Sequence, residues 1–344
     1  MNFIIRHMRQ SNNCDIVFRS VQVLKEKTDK ITASRQKSAR KRALIRGIPL
    51  YIMLALPIIW YIVFCYVPMG GLVVAFKDYN EYVGFSSPWA TDINGKLDLF
   101  KHFKEFLFDD YFWKVFLNTF RVGFFNTLIC FPAPIILAVL FNELMNGKFK
   151  KIMQTVSYLP YFVSTVAIVN IMAVMLSQTD GVVNQIIESL GFDKINFLLN
   201  PNWFIPIYVV LNLWRSVGWG TIIYIASMSN INTELYEAAD IEGAGRFRKI
   251  WHITLPAIKP TIMILLILAL PGILGADFEE ILLLQKPQIM SVADVIPTYV
   301  YRRGIIEGSA DFSTALGMFS AVLNMVIIIA ANKISRKVAE VSLF

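Results

Sequence analysis

Long stretches without a charged residue constrain the fold of this chain more than any other sequence feature. The longest covers 47–76, and further runs of 17 to 28 residues follow it. A helix needs about 20 apolar residues to cross a bilayer, and lipid offers no hydrogen-bonding partners to open strand edges. We interpret 195–233, which only Arg215 interrupts, as one span with a polar lead-in. The runs therefore predict six transmembrane helices, near 47–76, 115–142, 152–178, 204–229, 258–282 and 312–334.

Composition favours the same fold class, an all-α, polytopic membrane protein. Hydrophobic residues make up 56% of the chain and charged residues 17%, against about 25% charged in a typical soluble domain. These values exclude a disordered protein and a disulfide-stapled secreted domain. We divide the chain into a basic N-terminal segment at 1–46, a six-span transmembrane domain at 47–335 and a C-terminal tail at 336–344.

The net charge of +8 is unevenly distributed along the chain. With both termini in the cytoplasm, 22 Lys and Arg lie on the inner side and 9 on the outer side, as the positive-inside rule requires. The twelve at 1–46 indicate attraction to anionic membrane lipids rather than nucleic-acid binding. That segment also lacks the apolar core of a cleavable signal peptide. We therefore expect a multi-pass plasma-membrane protein with cytoplasmic N- and C-termini.

Motifs of catalysis and cofactor binding are missing from the sequence. It contains no HExxH, no GxSxG and no P-loop, and its three histidines lie on different segments. Its three cysteines have neither metal-ligand nor disulfide spacing. We expect no catalytic residues, no metal and no bound cofactor, so the chain is interpreted as a conduit rather than an enzyme.

The loop at 232–256, between the fourth and fifth predicted spans, is the most informative segment. Asn232 followed by Glu234 is typical of a helix start, with an acid in the first turn. Gly243 and Gly245 end that helix and permit a turn. A second short helix at 246–252 then leads to Pro256 and the next span. We expect two short helices at an angle on the membrane face, suited to docking in a groove of another protein.

The sequence of this loop resembles the signature of permease subunits of binding-protein-dependent ABC importers. That signature reads EAAxxxG, then nine residues, then IxLP, and it matches here without a gap. The resemblance implies the ABC importer type I permease fold and a coupling helix that sits in a cleft of the ATPase subunit. Glu237 would make a polar contact there, and the small residues would allow close approach. The residues implied in ATPase coupling are Glu237, Ala238, Ala239, Asp240, Gly243, Ile253, Leu255 and Pro256.

The resemblance extends over most of the chain after residue 46. Segments 66–69, 76–80 and 157–160 look like sugar permeases of the maltose-permease type, and 295–304 and 332–336 look most like the oligosaccharide branch. By resemblance, the partners are a second permease subunit in a heterodimer, two ATPase subunits that bind ATP and Mg²⁺, and an extracellular substrate-binding lipoprotein.

Polar and aromatic residues within the predicted spans are candidates for a substrate path, because ionisable groups are costly in lipid. Arg215 is either a pore-facing donor or a structural cation. As a structural cation it would pair with an acid or with carbonyls, or lie near enough to the interface to snorkel. The acids near 277–280 mark either a water-filled vestibule or a helix end, and each Asn could bind a sugar or a neighbouring helix. The aromatic residues are either sugar platforms or interfacial belts. The candidates are Asn118, Asn126, Asn170, Tyr208, Asn212, Trp214, Arg215, Trp219, Tyr224, Asp277, Glu279 and Glu280.

The function implied by these features is that of a transmembrane permease subunit of an ATP-driven ABC importer in a bacterial plasma membrane. Its substrate would be a carbohydrate, in particular an oligosaccharide, delivered by an extracellular binding protein. Two alternatives remain open from the sequence. One is an ABC importer permease for a non-sugar solute, and the other is an ion-coupled transporter acting alone.

Overall fold

The computed structural model describes residues 23–25, 47–144 and 147–339. Within these residues the chain is helical, and two isolated β-bridges, Lys77 with Trp89 and Thr91 with Leu97, are the only extended pairings. Five helices are long and apolar enough to cross a membrane, and a bent helix pair makes up to six. The predicted all-α membrane fold is therefore confirmed.

Twelve helices define the architecture of the described residues. The chain divides into two compact units, 1–71 and 72–344, and in the first unit the side chains of 48–70 are exposed. The helices are α1 Gly47–Phe76, α2 Lys101–Leu107, α3 Asp110–Glu143, α4 Gly147–Phe162, α5 Thr165–Met175, α6 Val182–Ser189, α7 Pro201–Met228, α8 Thr233–Ile241, α9 Arg246–Ile273, α10 Phe278–Leu284, α11 Ile296–Tyr301 and α12 Ala310–Ala339.

The third predicted span, 152–178, is divided in the structure between α4 and α5, which meet at an angle of 100°. Pro160 has no backbone N–H to continue the helix, and the Ser164 side chain caps α5 by accepting a hydrogen bond from the Ala167 N–H at 3.3 Å. The 11 residues of α5 rise only about 16 Å, roughly half the thickness of the hydrocarbon core.

The fifth predicted span, 258–282, is corrected at both ends. Helix α9 already begins at Arg246 and ends at Ile273, so the predicted second short helix at 246–252 is the first part of this long helix. A π-helical turn at Ile250–Thr254 precedes Pro256 and lets the helix continue past the missing proline N–H. The acids near 280 consequently lie on the separate helix α10 rather than at the end of a span.

Close helix packing holds α3, α4 and α7 against their neighbours. A Cβ atom on Gly123 of α3 would lie 2.2 Å from the Ile273 carbonyl oxygen, and one on Gly218 of α7 would lie 1.9 Å from the Ser157 carbonyl oxygen. Only glycine fits at such distances, as in other membrane helix interfaces. The largest apolar core surrounds this packing and includes Ile168 and Leu211. It positions the polar groups described next.

Candidate functional site

A buried polar cluster joins α7 to α10 in the second unit. The Asn212 Nδ2 donates to Glu280 Oε2 at 2.7 Å, and the Arg215 Nη1 donates to Glu280 Oε1. The Glu280 side chain is only 1% exposed, whereas that of Arg215 is 27% exposed. Arg215 is therefore paired with an acid, one of the alternatives that the sequence left open. Its remaining exposed edge can still donate to another group.

Tyr208 and Asp277 extend this polar cluster by one step. The hydroxyl oxygen of buried Tyr208 accepts a hydrogen bond from the Asp277 backbone N–H at 3.1 Å. Residues 208, 212 and 215 are spaced four and three apart, so they lie on one face of α7. This helix face therefore fixes the first turn of α10 through one hydroxyl, one amide and one guanidinium.

A cavity of about 300 Å³ opens beside the cluster, between α3, α7 and the end of α9. Asn126, Tyr208 and Asp277 bring amide, hydroxyl and carboxylate groups to its wall. The Asn126 Oδ1 accepts a hydrogen bond from the Cys130 thiol at 3.3 Å. A wall that combines these donors and acceptors suits a polyhydroxylated ligand. The other lining residues are Thr127, Cys130, Phe131, Ala269, Gly272, Gly275 and Ala276.

Aromatic side chains gather at the bend between α4 and α5. The Trp219 ring stacks on Tyr161 with centroids 4.7 Å apart and planes within 4°, and it meets Phe162 edge-on. All three side chains are exposed. The sequence singled out Trp219 but missed Tyr161 and Phe162. The adjacent Pro160 was the available signal, because a helix break inside a span places its neighbours on an open surface.

The other candidate path residues lie elsewhere in the structure. Asn118 is buried, and its Nδ2 donates to the Ser291 and Asp294 carbonyl oxygens at 3.0 and 3.2 Å. Tyr224 is buried in an apolar core with Met228. Trp214 lines an apolar cavity of about 490 Å³. Two further candidates, Asn170 and Glu279, are exposed.

A second buried acid, Asp294, was not found from the sequence. Its carboxylate accepts hydrogen bonds from the Tyr111 hydroxyl, from Arg302 and from the Thr298 hydroxyl. Burial lowers the pKa of Arg302, but the hydrogen bond and the negative charge of Asp294, together with the contact to Tyr111, outweigh burial and raise that pKa above its ordinary value. Asp294 lies between α10 and α11, and its partner Tyr111 is on α3. This hydrogen bond therefore anchors the segment between α10 and α11 to α3.

The loop at 232–256 presents an exposed, well-capped helix. The Asn232 side chain caps α8 by accepting from the Glu234 N–H at 3.0 Å, and α8 ends at Ile241, two residues before Gly243, whose φ is +73°. Glu237 is exposed, and so are the apolar side chains of Ile241 and Phe247, at 89% and 80%. The loop therefore leaves an exposed carboxylate and two large apolar side chains open to contact.

Two polar contacts hold α8 against the beginning of α9. The Lys249 Nζ donates to Asp240 Oδ1 at 2.7 Å, and the Tyr236 hydroxyl and Thr254 hydroxyl lie 2.9 Å apart. Between the two helices lies a groove of about 380 Å³. Of the residues with an expected coupling role, Ala238, Ala239 and Ile253 line this groove.

Residues 130–340 match the family described as binding-protein-dependent transport system inner membrane component. The chain belongs to this family. A solved relative shares the fold over nearly its whole length. A bacterial ABC transporter involved in the import of the acidic polysaccharide alginate contains a chain that is 38% identical, with a TM-score of 0.77, covering 87% of this chain and 98% of that one. The expected ABC importer permease fold is therefore confirmed.

Two curated relatives of this permease come from Bacillus subtilis (strain 168). Protein LplB is 41% identical over 302 residues, which are 88% of this chain and 93% of the relative. The polygalacturonan/rhamnogalacturonan transport system permease protein YteP is 40% identical over 313 residues, 90% of this chain and 95% of the relative. The family model spans α4 to α12, including the loop at 232–256, and the two relatives match most of the chain.

Proposed function

We propose that this permease subunit imports an oligosaccharide across a bacterial plasma membrane, driven by ATP hydrolysis on partner subunits. The observation that carries the proposal is the exposed, capped helix α8 in a family of binding-protein-dependent importers. The chain itself contributes the path and the docking surface. Its charge distribution supports an orientation with both termini and the loop at 232–256 on the cytoplasmic side.

Coupling is proposed to occur through helix α8, which docks in a cleft of an ATPase subunit. Ile241 and Phe247 supply exposed apolar area, and Glu237 supplies an exposed carboxylate. Shifting a permease from 99:1 inward-facing to 1:99 needs about 5.5 kcal/mol of differential binding. Closure of two ATPase subunits around ATP and Mg²⁺ supplies this energy, and the rigid α8–α9 junction transmits it to the spans.

Substrate passage is proposed to use two surfaces described above. The stacked rings of Tyr161 and Trp219 offer the flat apolar face on which sugar rings pack. The cavity lined by Asn126, Tyr208 and Asp277 offers hydrogen bonds to hydroxyl groups. Arg215, which is 27% exposed beside Glu280, offers a further donor. A chain of linked sugars can contact both surfaces in succession, whereas a small solute fills only one.

The partners follow from the family and from the solved relative. That relative was determined in complex with a periplasmic protein carrying an alginate pentasaccharide, with a TM-score of 0.78 and 38% identity over 88% of this chain and 99% of that one. By analogy, we propose a heterodimer with a second permease subunit, two ATPase subunits and an extracellular substrate-binding lipoprotein. YteP, by its name, serves polygalacturonan and rhamnogalacturonan, which supports a polysaccharide fragment as substrate.

The test is ATPase stimulation in proteoliposomes that contain the complete importer and its binding protein. Oligosaccharides of different length and linkage are added in turn. The correct glycan is expected to stimulate hydrolysis at least about tenfold. Stimulation by an amino acid or by phosphate, with none by any glycan, would support the non-sugar alternative. Transport that proceeds without ATPase subunits would support the ion-coupled alternative.

The role of α8 is tested separately with Glu237→Arg and a matched control, Glu188→Arg, which reverses an exposed acid on α6. We expect Glu237→Arg to reduce both glycan-stimulated hydrolysis and co-purification of the ATPase subunits, because it reverses the charge on the docking surface. Glu188→Arg should leave both unchanged. Equal behaviour of the two variants would contradict the coupling assignment.

A further inference from the structure

Helix α2 carries a buried histidine, His102. It has no role in the proposed transport function. His102 is 4% exposed. Its Nε2 lies 3.0 Å from the Lys77 carbonyl oxygen, 3.5 Å from Asp78 Oδ1 and 3.6 Å from Asp311 Oδ2. The sequence predicts no metal site, because its three histidines are dispersed. The fold nevertheless brings two carboxylates from distant segments to one imidazole nitrogen.

The two longer distances are too long for hydrogen bonds but suit a shared cation. A tetrahedral zinc ion with ligands at about 2.0–2.2 Å holds neighbouring ligand atoms about 3.3–3.6 Å apart. The ligand atoms of Asp78, His102 and Asp311 all lie within 4.8 Å of one another. The Lys77 carbonyl oxygen provides a fourth donor. We propose that His102, Asp78, Asp311 and the Lys77 carbonyl form a divalent metal site that prefers Zn²⁺.

The other imidazole nitrogen supports this assignment. His102 Nδ1 is buried without a hydrogen-bond partner among the described residues, and it lies 3.7 Å from Glu105 Oε2. When a metal occupies Nε2, the single proton of the neutral ring moves to Nδ1 and points at Glu105. A carboxylate behind a metal-bound histidine is the usual arrangement that fixes ring orientation. Arg303 in turn donates to Glu105 Oε1 at 3.1 Å and holds it in place.

The Asp78 carboxylate already faces a cation. The Thr91 backbone N–H also donates to Asp78 Oδ2 at 3.2 Å and holds the carboxylate in place. The Lys101 Nζ lies 2.6 Å from Asp78 Oδ1 and its side chain is 41% exposed. Lys101 therefore competes with a metal for this oxygen, and it can swing into solvent when the metal binds.

The metal would join three separate parts of the second unit. Asp78 lies in the segment after α1, His102 lies on α2, and Asp311 lies in the first turn of α12. Because these parts are remote in sequence, a shared ion would stabilise their packing. The effect is expected on thermal stability, independently of ATP hydrolysis or transported substrate.

The experiment uses the complete importer, purified with a tag that contains no histidine, stripped with a chelator and dialysed against buffered Zn²⁺. We expect one additional equivalent of zinc in the wild type relative to Asp311→Asn, together with a zinc-dependent rise in Tm. Glu105→Gln should weaken zinc affinity by about 10- to 100-fold. Equal zinc content in wild type and Asp311→Asn would overturn the proposal.

Two lysines on α2 allow a second test, in which every proposed metal ligand stays in place. Lys101→Ala removes the competing ammonium group and should tighten zinc binding. Lys104→Ala removes an ammonium group that contacts Asp98 at 2.8 Å instead, so zinc affinity should not change. The same affinity in both variants would contradict the site. A wild-type Tm that does not respond to zinc would also overturn the proposal.

Discussion

The loop at 232–256 and the polar cluster around Glu280 differ in where their partners lie. In the loop, the motif residue Glu237 is exposed, and the other motif residues lie close to it in sequence. In the cluster, Glu280 is buried, and its contacts Asn212 and Arg215 are 68 and 65 residues away. The first region is exposed and is proposed to dock to an ATPase subunit, and the second is satisfied within its own chain. A change in the loop should therefore affect coupling, whereas a change in the cluster should affect folding.

The largest expected effect is on stability, from Glu280→Gln. This change leaves the Arg215 guanidinium without a counter-charge in a mostly buried setting, which costs about 3 kcal/mol. We expect a Tm several degrees lower for the purified importer and a reduced yield of folded protein. Glu279→Gln is the matched control, because Glu279 is the exposed neighbour on the same helix. Equal Tm values for the two variants would show that the buried ion pair of Glu280 does not contribute to stability.

The next effect is expected in the loop, from Gly243→Ala. Gly243 has a φ of +73°, whereas nearby Gly245 has a φ of −69°. A Cβ atom at either position meets no other atom within 4 Å. The left-handed conformation alone therefore penalises alanine at 243, by about 1–2 kcal/mol.

Because this strain is local, Gly243→Ala should tilt α8 and reduce glycan-stimulated ATPase activity up to about tenfold, with an unchanged global Tm. Gly245→Ala serves as the control and should retain full activity. A Tm decrease of the same size as in Glu280→Gln would show that the loop contributes to folding as much as the cluster does.

Sequence reasoning succeeded where the signal is local. Long apolar helices overlap five of the six predicted spans. The loop at 232–256 follows from a contiguous motif, in which Asn232 starts a helix and Gly243 follows its end. It failed at the end of α9, because the uncharged run 260–276 continues past Ile273, where the helix stops. The bend at 163–164 was missed for the same reason, since hydropathy does not report direction.

Pairings across long sequence separations were not predictable from one sequence. Arg215 and Glu280 were both identified as candidates, but no local pattern shows that they touch. Asp294 was overlooked because it follows a short helix in a segment without an apolar run. The aromatic stack needed the fold as well, since Tyr161 and Trp219 lie on different helices.

A smaller effect on the cluster side is expected from Tyr208→Phe. The change removes the hydroxyl oxygen that accepts the Asp277 backbone N–H and costs about 1 kcal/mol. It also removes a polar group from the cavity wall, so the apparent affinity for the transported glycan should fall. The readout is glycan concentration dependence of ATPase stimulation. Tyr224→Phe is the control, because Tyr224 lies in a buried apolar core away from this cavity.

The smallest effect should come from Asp240→Asn, which removes the ion pair with Lys249. The Asp240 side chain is 62% exposed, and exposed pairs contribute about 0–1 kcal/mol because water and salt screen them. We expect an unchanged Tm and nearly normal glycan-stimulated ATPase activity at physiological salt. A large loss of ATPase activity at constant Tm would show that Asp240 itself contacts the ATPase subunit. That result would extend the docking surface from Glu237 along α8 rather than weaken the contrast with the self-contained cluster at Glu280.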